Sequence, residues 1–257
     1  MKEYLSLIKT KAWANLKTRK GRVEAGQFLA EGPHLIEEIL NQDKFKIRAL
    51  VLREGYTGEN FSNLNCPRYL AEEKAFNALA EVENSQGILA VVDMYAYSLE
   101  NLISKKKDFL NLLILVGIQD PGNLGAIFRS AAAFSVSGII LSSDCVEVYN
   151  SKVVRASSGA IFHVPFVEKV DLVKFIKGIK IKTIAAAVKD AKSCIEVNLK
   201  PPVAFLIGNE GAGLPKDLLA LADEKVMIPM PGGIESLNAA VSTSILLYEI
   251  MRQRKNK

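Results

Sequence analysis

Asp120-Pro121-Gly122-Asn123-Leu124-Gly125-Ala126-Ile127-Phe128-Arg129 follows closely on the apolar run Leu112 to Ile118. This junction of a strand-like run with a polar, glycine-bearing turn decides how the second half of the chain is read, because it recurs twice. Gly208-Asn209-Glu210-Gly211-Ala212-Gly213 follows the run Val203 to Ile207, and Pro229-Met230-Pro231-Gly232-Gly233-Ile234-Glu235-Ser236-Leu237-Asn238 follows Lys225 to Ile228. In an open α/β domain, ligands bind where loops leave the carboxyl ends of the strands. Three such loops therefore predict one composite pocket.

Outward from these junctions, the spacing predicts strands at Leu112 to Ile118, Gly138 to Leu141, Ile161 to Phe166, Lys182 to Val188, Val203 to Ile207 and Lys225 to Ile228, alternating with helical stretches. That alternation is the pattern of a parallel sheet with helices on both faces. A closing helix is expected over Ser236 to Arg252, with Leu237, Val241, Ile245 and Tyr248 on one stripe. Before residue 94 the pattern is mixed. Strands are expected at Gln27 to Ala30, Ile47 to Leu52 and Gly87 to Val92, with a helix opened by Pro33 and another over Glu72 to Leu79. The expected fold class is thus a small α/β domain over 1–94, a linker over 95–109 that carries Lys105-Lys106-Lys107, and a parallel-sheet α/β domain over 110–257.

Composition narrows the function. The chain has 257 residues, 49% hydrophobic and 24% charged, the balance of a globular protein able to bury a sizeable core. No apolar run approaches the roughly 20 residues of a membrane span, and Met1-Lys2-Glu3-Tyr4 lacks the layout of a secretory signal. A cytoplasmic protein with no membrane partner is expected. Cys66, Cys145 and Cys194 are far apart and odd in number, and His34 and His163 have no ligand-spaced neighbours, so neither a disulfide framework nor a metal site is expected.

Net charge is +5, unevenly spread: residues 1 to 22 carry +6 and residues 252 to 257 carry +4, which leaves the body between them at −5. Basic ends on an acidic body point to a polyanion such as RNA, with Trp13 available for base stacking, or to a solvated basic helix and a frayed tail. The phosphate-loop signatures are missing. Gly208 to Pro215 has no Lys-Ser/Thr pair, and no G-x-G-x-x-G follows the first strand, which argues against an ATPase or a nicotinamide enzyme.

Asn123-x-Gly125-x-x-x-Arg129, Gly208-Asn209-Glu210-Gly211 and Ile228-Pro229-Met230-x-Gly232-x-x-Glu235-Ser236-Leu237-Asn238 resemble, in order and spacing, motifs one, two and three of the SpoU (TrmH) class of RNA 2′-O-ribose methyltransferases in the SPOUT superfamily. Phe28-Leu29-Ala30-Glu31-Gly32-Pro33-His34-Leu35-Ile36-Glu37-Glu38 and Gln86-Gly87-Ile88 resemble that family's ribosomal-protein-like substrate-binding module. The resemblance covers most of the chain. It implies a C-terminal trefoil knot, a rare exception to unknotted topology, a homodimer formed through the C-terminal domain, and S-adenosylmethionine as cofactor. It also implies methyl transfer to a ribose 2′-hydroxyl, in ribosomal RNA rather than transfer RNA given the separate substrate module. A catalytically silent RNA-binding protein on the same fold, a tRNA ribose methyltransferase and a small-molecule nucleotide enzyme are the other readings.

By the same resemblance Gly208, Ile228 and Leu237 cradle the cofactor; from the residues alone, ordinary strand-end turn and core is the preferred reading. Arg129 is, by that resemblance, the catalytic arginine of the family, and an isolated arginine is more often a surface ion pair. With a pKa above about 12 a guanidinium is a poor base, so its role is to bind phosphate and favour a developing alkoxide. Glu210 is a candidate proton acceptor or a partner orienting Arg129, or else a turn residue paired with a lysine. Asn123, Ser236 and Asn238 match the remaining polar site positions, and helix capping accounts for Asn123 and Ser236 as well.

Overall fold

The computed structural model describes residues 3–58, 61, 64–103, 110–209 and 211–255. They fall into two compact units: Met1–Tyr95 with Tyr149–Phe162, and Ala96–Val148 with His163–Lys257.

The first unit runs β1 (Glu3–Tyr4), α1 (Leu7–Ala14), a 3₁₀ turn (Asn15–Lys17), α2 (Arg19–Ala25), β2 (Gln27–Glu31), α3 (Pro33–Leu40), β3 (Ile47–Arg53), β4 (Arg68–Ala71), α4 (Glu73–Leu79) and β5 (Ile88–Asp93). Its mixed sheet has the order β1-β4-β3-β5-β2. Alternation in the strands divides the residues between two faces. Leu29, Val51, Leu89 and Val91 pack with Leu16, Phe76 and Leu79 on one of them. On the other, Phe28 stacks on Tyr149 at 4.8 Å and lies 6.1 Å from Phe162, which also meets Phe45 edge-on at 5.0 Å. The Tyr149 hydroxyl donates to the Tyr95 carbonyl at 2.8 Å and accepts from the Tyr95 amide at 3.0 Å. Residues 149–162, part of the stretch 110–257 that the sequence reading treats as one domain, thus complete the core of the first unit.

The basic N-terminal segment is less free than its charge suggests. Lys17 donates to the Ala80 carbonyl at 2.7 Å, and Lys9 donates to the Tyr69 hydroxyl at 2.6 Å. Trp13 meets Tyr69 edge-on at 5.5 Å and packs against the core, so it is not an open stacking platform. Arg22 is only 2% exposed, and its guanidinium donates to the carbonyls of Leu16 and Lys17, both at 2.9 Å. Lys11, Arg19 and Lys20 remain exposed. Arg22→Ala is therefore expected to cost about 3 kcal/mol of stability, because buried carbonyls lose a charged donor. Urea unfolding would show a lower midpoint at an unchanged slope; an unchanged midpoint would make Arg22 a surface cation after all.

The second unit runs α5 (Leu99–Ile103), β6 (Asn111–Leu115), α6 (Pro121–Ala133), β7 (Gly138–Leu141), then, beyond α7 (Ser151–Ala156) and α8 (Ala160–His163), β8 (Phe166–Val167), α9 (Leu172–Gly178), β9 (Lys182–Ala186), β10 (Lys192–Ser193), β11 (Val203–Ile207), α10 (Lys216–Leu221), β12 (Glu224–Met227) and α11 (Ala239–Lys255). The seven strands order β10-β12-β9-β11-β6-β7-β8, and every pairing is parallel. β6, β7 and β11 are buried along their whole length, as strands covered on both faces must be. Leu112, Ile114, Ala204 and Leu206 pack with Phe175 and Ile176 of α9 and Leu218 of α10.

One expectation needs correction. Ile161 to Phe166 is not one strand: Ala160–His163 is a helical turn and only Phe166–Val167 pairs in the sheet. On the last helix, the stripe Val241, Ile245, Tyr248 is distinct from the face that packs inward. Val241 and Tyr248 are 47% and 52% exposed, whereas Ala240, Thr243, Leu247 and Ile250 are buried, on the helix that packs against α6.

Candidate active site

Asp120 starts the site. Its extended backbone and its carboxylate, which accepts from the Asn123 amide at 2.7 Å, cap α6, and Pro121 supplies the preset φ of a first helical residue. Asn123 therefore lies in the first turn and is not the cap. Its side-chain oxygen instead accepts from Asn238 Nδ2 at 2.8 Å, across 115 residues of sequence. The Asn238 side-chain oxygen accepts in turn from the amides of Ala240 and Val241, at 2.9 and 3.3 Å. Asn238, not Ser236, is thus the residue whose side chain caps α11. One asparagine opens the last helix and ties it to the loop before α6.

A pocket of about 560 Å³ opens beside this pair, at the carboxyl ends of β9, β11 and β12. Ile207, Gly208, Ile228, Ser236, Leu237 and Leu246 are among its lining residues, together with 186–190 and 211–214. The wall mixes aliphatic side chains with polar ones, among them Asp190, Asn209, Glu235 and Ser236, as a site for a polar small molecule requires. Gly208 is required by the loop itself: a Cβ there would lie 2.5 Å from the Gly213 carbonyl carbon and 2.6 Å from the Leu214 nitrogen. Backbone thus presses on backbone where any side chain would intrude.

The loop is closed by a residue that the sequence reading did not single out. The Asn209 side-chain oxygen accepts from the amides of Gly211 and Ala212 at 2.9 and 3.2 Å, and its Nδ2 donates to the Gly117 carbonyl at 3.0 Å. An asparagine two residues before a glycine, as in Asn209-x-Gly211, is a signal for such a turn; its long-range tie is not visible in sequence. Arg129 stands apart. It is exposed on α6, its guanidinium makes no hydrogen bond or ion pair with another described residue, and it does not line the pocket. Glu210 lies outside the described residues. No group of His, Cys, Asp or Glu among the described residues could hold a metal, and no helix among them is long and apolar enough to cross a membrane.

Residues 111–248 match the SpoU rRNA methylase family, and residues 8–90 match an MRM3-like substrate-binding domain. The chain belongs to the SpoU rRNA methylase family. Among relatives, this SpoU family member is 33% identical over 246 residues to the 23S rRNA (guanosine(2553)-2′-O)-methyltransferase RlmP of Bacillus subtilis, covering 94% of this chain and 95% of that protein. Among solved structures it superposes with a TM-score of 0.87 on the SpoU methyltransferase AviRb from Streptomyces viridochromogenes in complex with AdoMet, at 28% identity over 98% of this chain and 99% of the other. An AdoMet-bound rRNA methyltransferase from Sinorhizobium meliloti gives 0.86 at 28% identity, over 98% and 97% of the two chains.

Proposed function

We propose that this chain transfers the methyl group of S-adenosylmethionine to a ribose 2′-hydroxyl of ribosomal RNA. The observation that carries the reading is the juxtaposition just described: the second and third motif loops wall one pocket, and the Asn123–Asn238 bond brings motif one against motif three at its side. The cofactor suits that pocket in the chemistry of its wall, where aliphatic Ile228 and Leu237 offer a seat for adenine beside the backbone of Gly208. When bound, S-adenosylmethionine supplies a methyl on a sulfonium, which needs only an aligned oxygen nucleophile.

The chain's own residues do the rest. Asn123 and Asn238 orient the ribose, and Ser236 holds the turn that carries Leu237. Arg129, unpaired among the described residues, binds the flanking phosphate and favours the alkoxide that develops on the 2′-oxygen. Glu210 accepts the proton or orients Arg129. Holding the oxygen about 3 Å from the methyl carbon and in line with the sulfur supplies much of the rate. Residues 1–94 recognise the RNA, 95–109 link, and 110–257 carry the chemistry in the cytoplasm.

The resemblance to the family also supports a trefoil knot at the C-terminus. In keeping with it, α11 packs against α6, the helix after β6, although β12 lies three places from β6 in the sheet. A homodimer through the same domain is supported by the exposed Val241 and Tyr248 beside Ile245 on α11.

The test is ribose-methylation mapping of total RNA from cells with and without the gene, followed by transfer of a labelled methyl to an unmodified 23S rRNA transcript. One 2′-O-methyl in the large-subunit RNA should vanish and be restored in vitro. Loss confined to transfer RNA would change the substrate. Binding of RNA and cofactor with no ribose altered would leave a catalytically silent RNA-binding protein.

A further inference from the structure

We infer that Asn209 is a positioning residue for methyl transfer, acting through Gly117 to set the spacing between the cofactor loop and the motif that carries Asn123 and Arg129. The inference rests on the proposed function and adds to it a residue on the wall of the cofactor pocket that acts through its tie to Gly117.

Gly117, just past β6, is where three strand-end loops meet. Its carbonyl accepts from Asn209 Nδ2 of the loop after β11 at 3.0 Å, and its amide donates to the Ser142 hydroxyl of the loop after β7 at 3.0 Å. The Ser142 hydroxyl donates onward to the Asp144 carboxylate. The junction is crowded as well as bonded. Gly117 has φ +65°, and a Cβ there would come within 3.1 Å of an Asp144 carboxylate oxygen and 3.8 Å of the Asn209 Cβ. Only buried Ile118 and then Gln119 separate it from Asp120, which caps α6. A displacement at Gly117 therefore passes through two residues into the helix that holds Asn123 and Arg129.

Asn209 has two separable duties because its oxygen and its nitrogen do different things. The oxygen closes the turn 209–212, on the wall of the cofactor pocket; the nitrogen reaches the other loop. Asn209→Asp keeps the acceptor and deletes the donor, replacing it with an anion facing the Gly117 carbonyl. The cofactor loop should survive while its tie to the α6 side is broken. An error of about 1 Å in the approach of two reactants costs on the order of 100-fold in rate.

The experiment uses the full-length protein, calorimetry with S-adenosylmethionine, and single-turnover transfer to an unmodified 23S rRNA transcript with both substrates saturating. Asn209→Asp should keep cofactor affinity within about 3-fold while the transfer step slows roughly 10- to 100-fold. Asn209→Ala, which loses both duties, should lower affinity and rate together. Ser142→Ala, which loosens Gly117 from the other side, should repeat the Asn209→Asp pattern more weakly, and it decides the matter if Asn209→Asp does not fold. Wild-type rate in Asn209→Asp, or a loss of affinity that accounts for its whole defect, would overturn the positioning role. If the wild-type protein binds the cofactor but methylates no RNA, the functional reading itself falls and takes this one with it.

Discussion

Arg129→Ala should leave S-adenosylmethionine affinity near wild type and lower the methyl-transfer rate by roughly 100- to 1,000-fold. The first half of that expectation comes from placement: Arg129 is exposed on α6 and does not line the pocket, so the cofactor loses no contact with it. The second half comes from charge. The guanidinium is exposed and pairs with no other described residue, which leaves it placed to engage a phosphate or a developing oxyanion. Arg129→Lys should rescue little, because an ammonium does not reproduce a planar, forked donor. Single-turnover transfer with both substrates saturating separates a slower step from weaker binding. Transfer within a few-fold of wild type would make Arg129 a surface residue and remove the centre of the mechanism.

Gly208→Val should weaken cofactor binding substantially, for a reason the motif alone does not supply. The added Cβ would overlap the backbone of Gly213 and Leu214 at 2.5 to 2.6 Å, closer than atoms can sit, so the loop 208–214 must move. Overpacking of this kind costs about 1–3 kcal/mol, which as lost affinity is roughly 5- to 150-fold. Even Gly208→Ala should show a substantial part of the effect, since the first carbon already collides. Calorimetry on variants whose circular dichroism matches wild type reads the result. Full affinity in Gly208→Val would place the cofactor elsewhere.

The sheet of the second unit was legible because parallel strands buried on both faces leave unbroken apolar runs; β7 and β11 lie where Gly138 to Leu141 and Val203 to Ile207 predict them. The same reasoning misread Ile161 to Phe166, because a short apolar run does not distinguish a buried helical turn from a buried strand. Periodicity also fails to choose between two faces of α11. The buried face includes Thr243, whose hydroxyl is spent on the Ala239 carbonyl at 2.7 Å, while Val241 and Tyr248 point to solvent. β1 and β4 went unnoticed because Glu3–Tyr4 and Arg68–Ala71 are short and mixed in polarity. At the site, the three loops announced themselves through glycine and asparagine. Their ties, Asn123 to Asn238 and Asn209 to Gly117, span 115 and 92 residues and exist only once the strands are ordered.

The aromatic residues Tyr149 and Phe162 bear on whether the first unit could be exchanged for another. They come from the chain between β7 and β8, yet they cover Phe28 and Phe45 of the first unit. A recombination event that grafts a foreign N-terminal module at the linker brings new aromatic surface and leaves behind the pieces that seal it. An exchange that keeps the first unit's core sealed must therefore carry residues 149–162 along with residues 1–95.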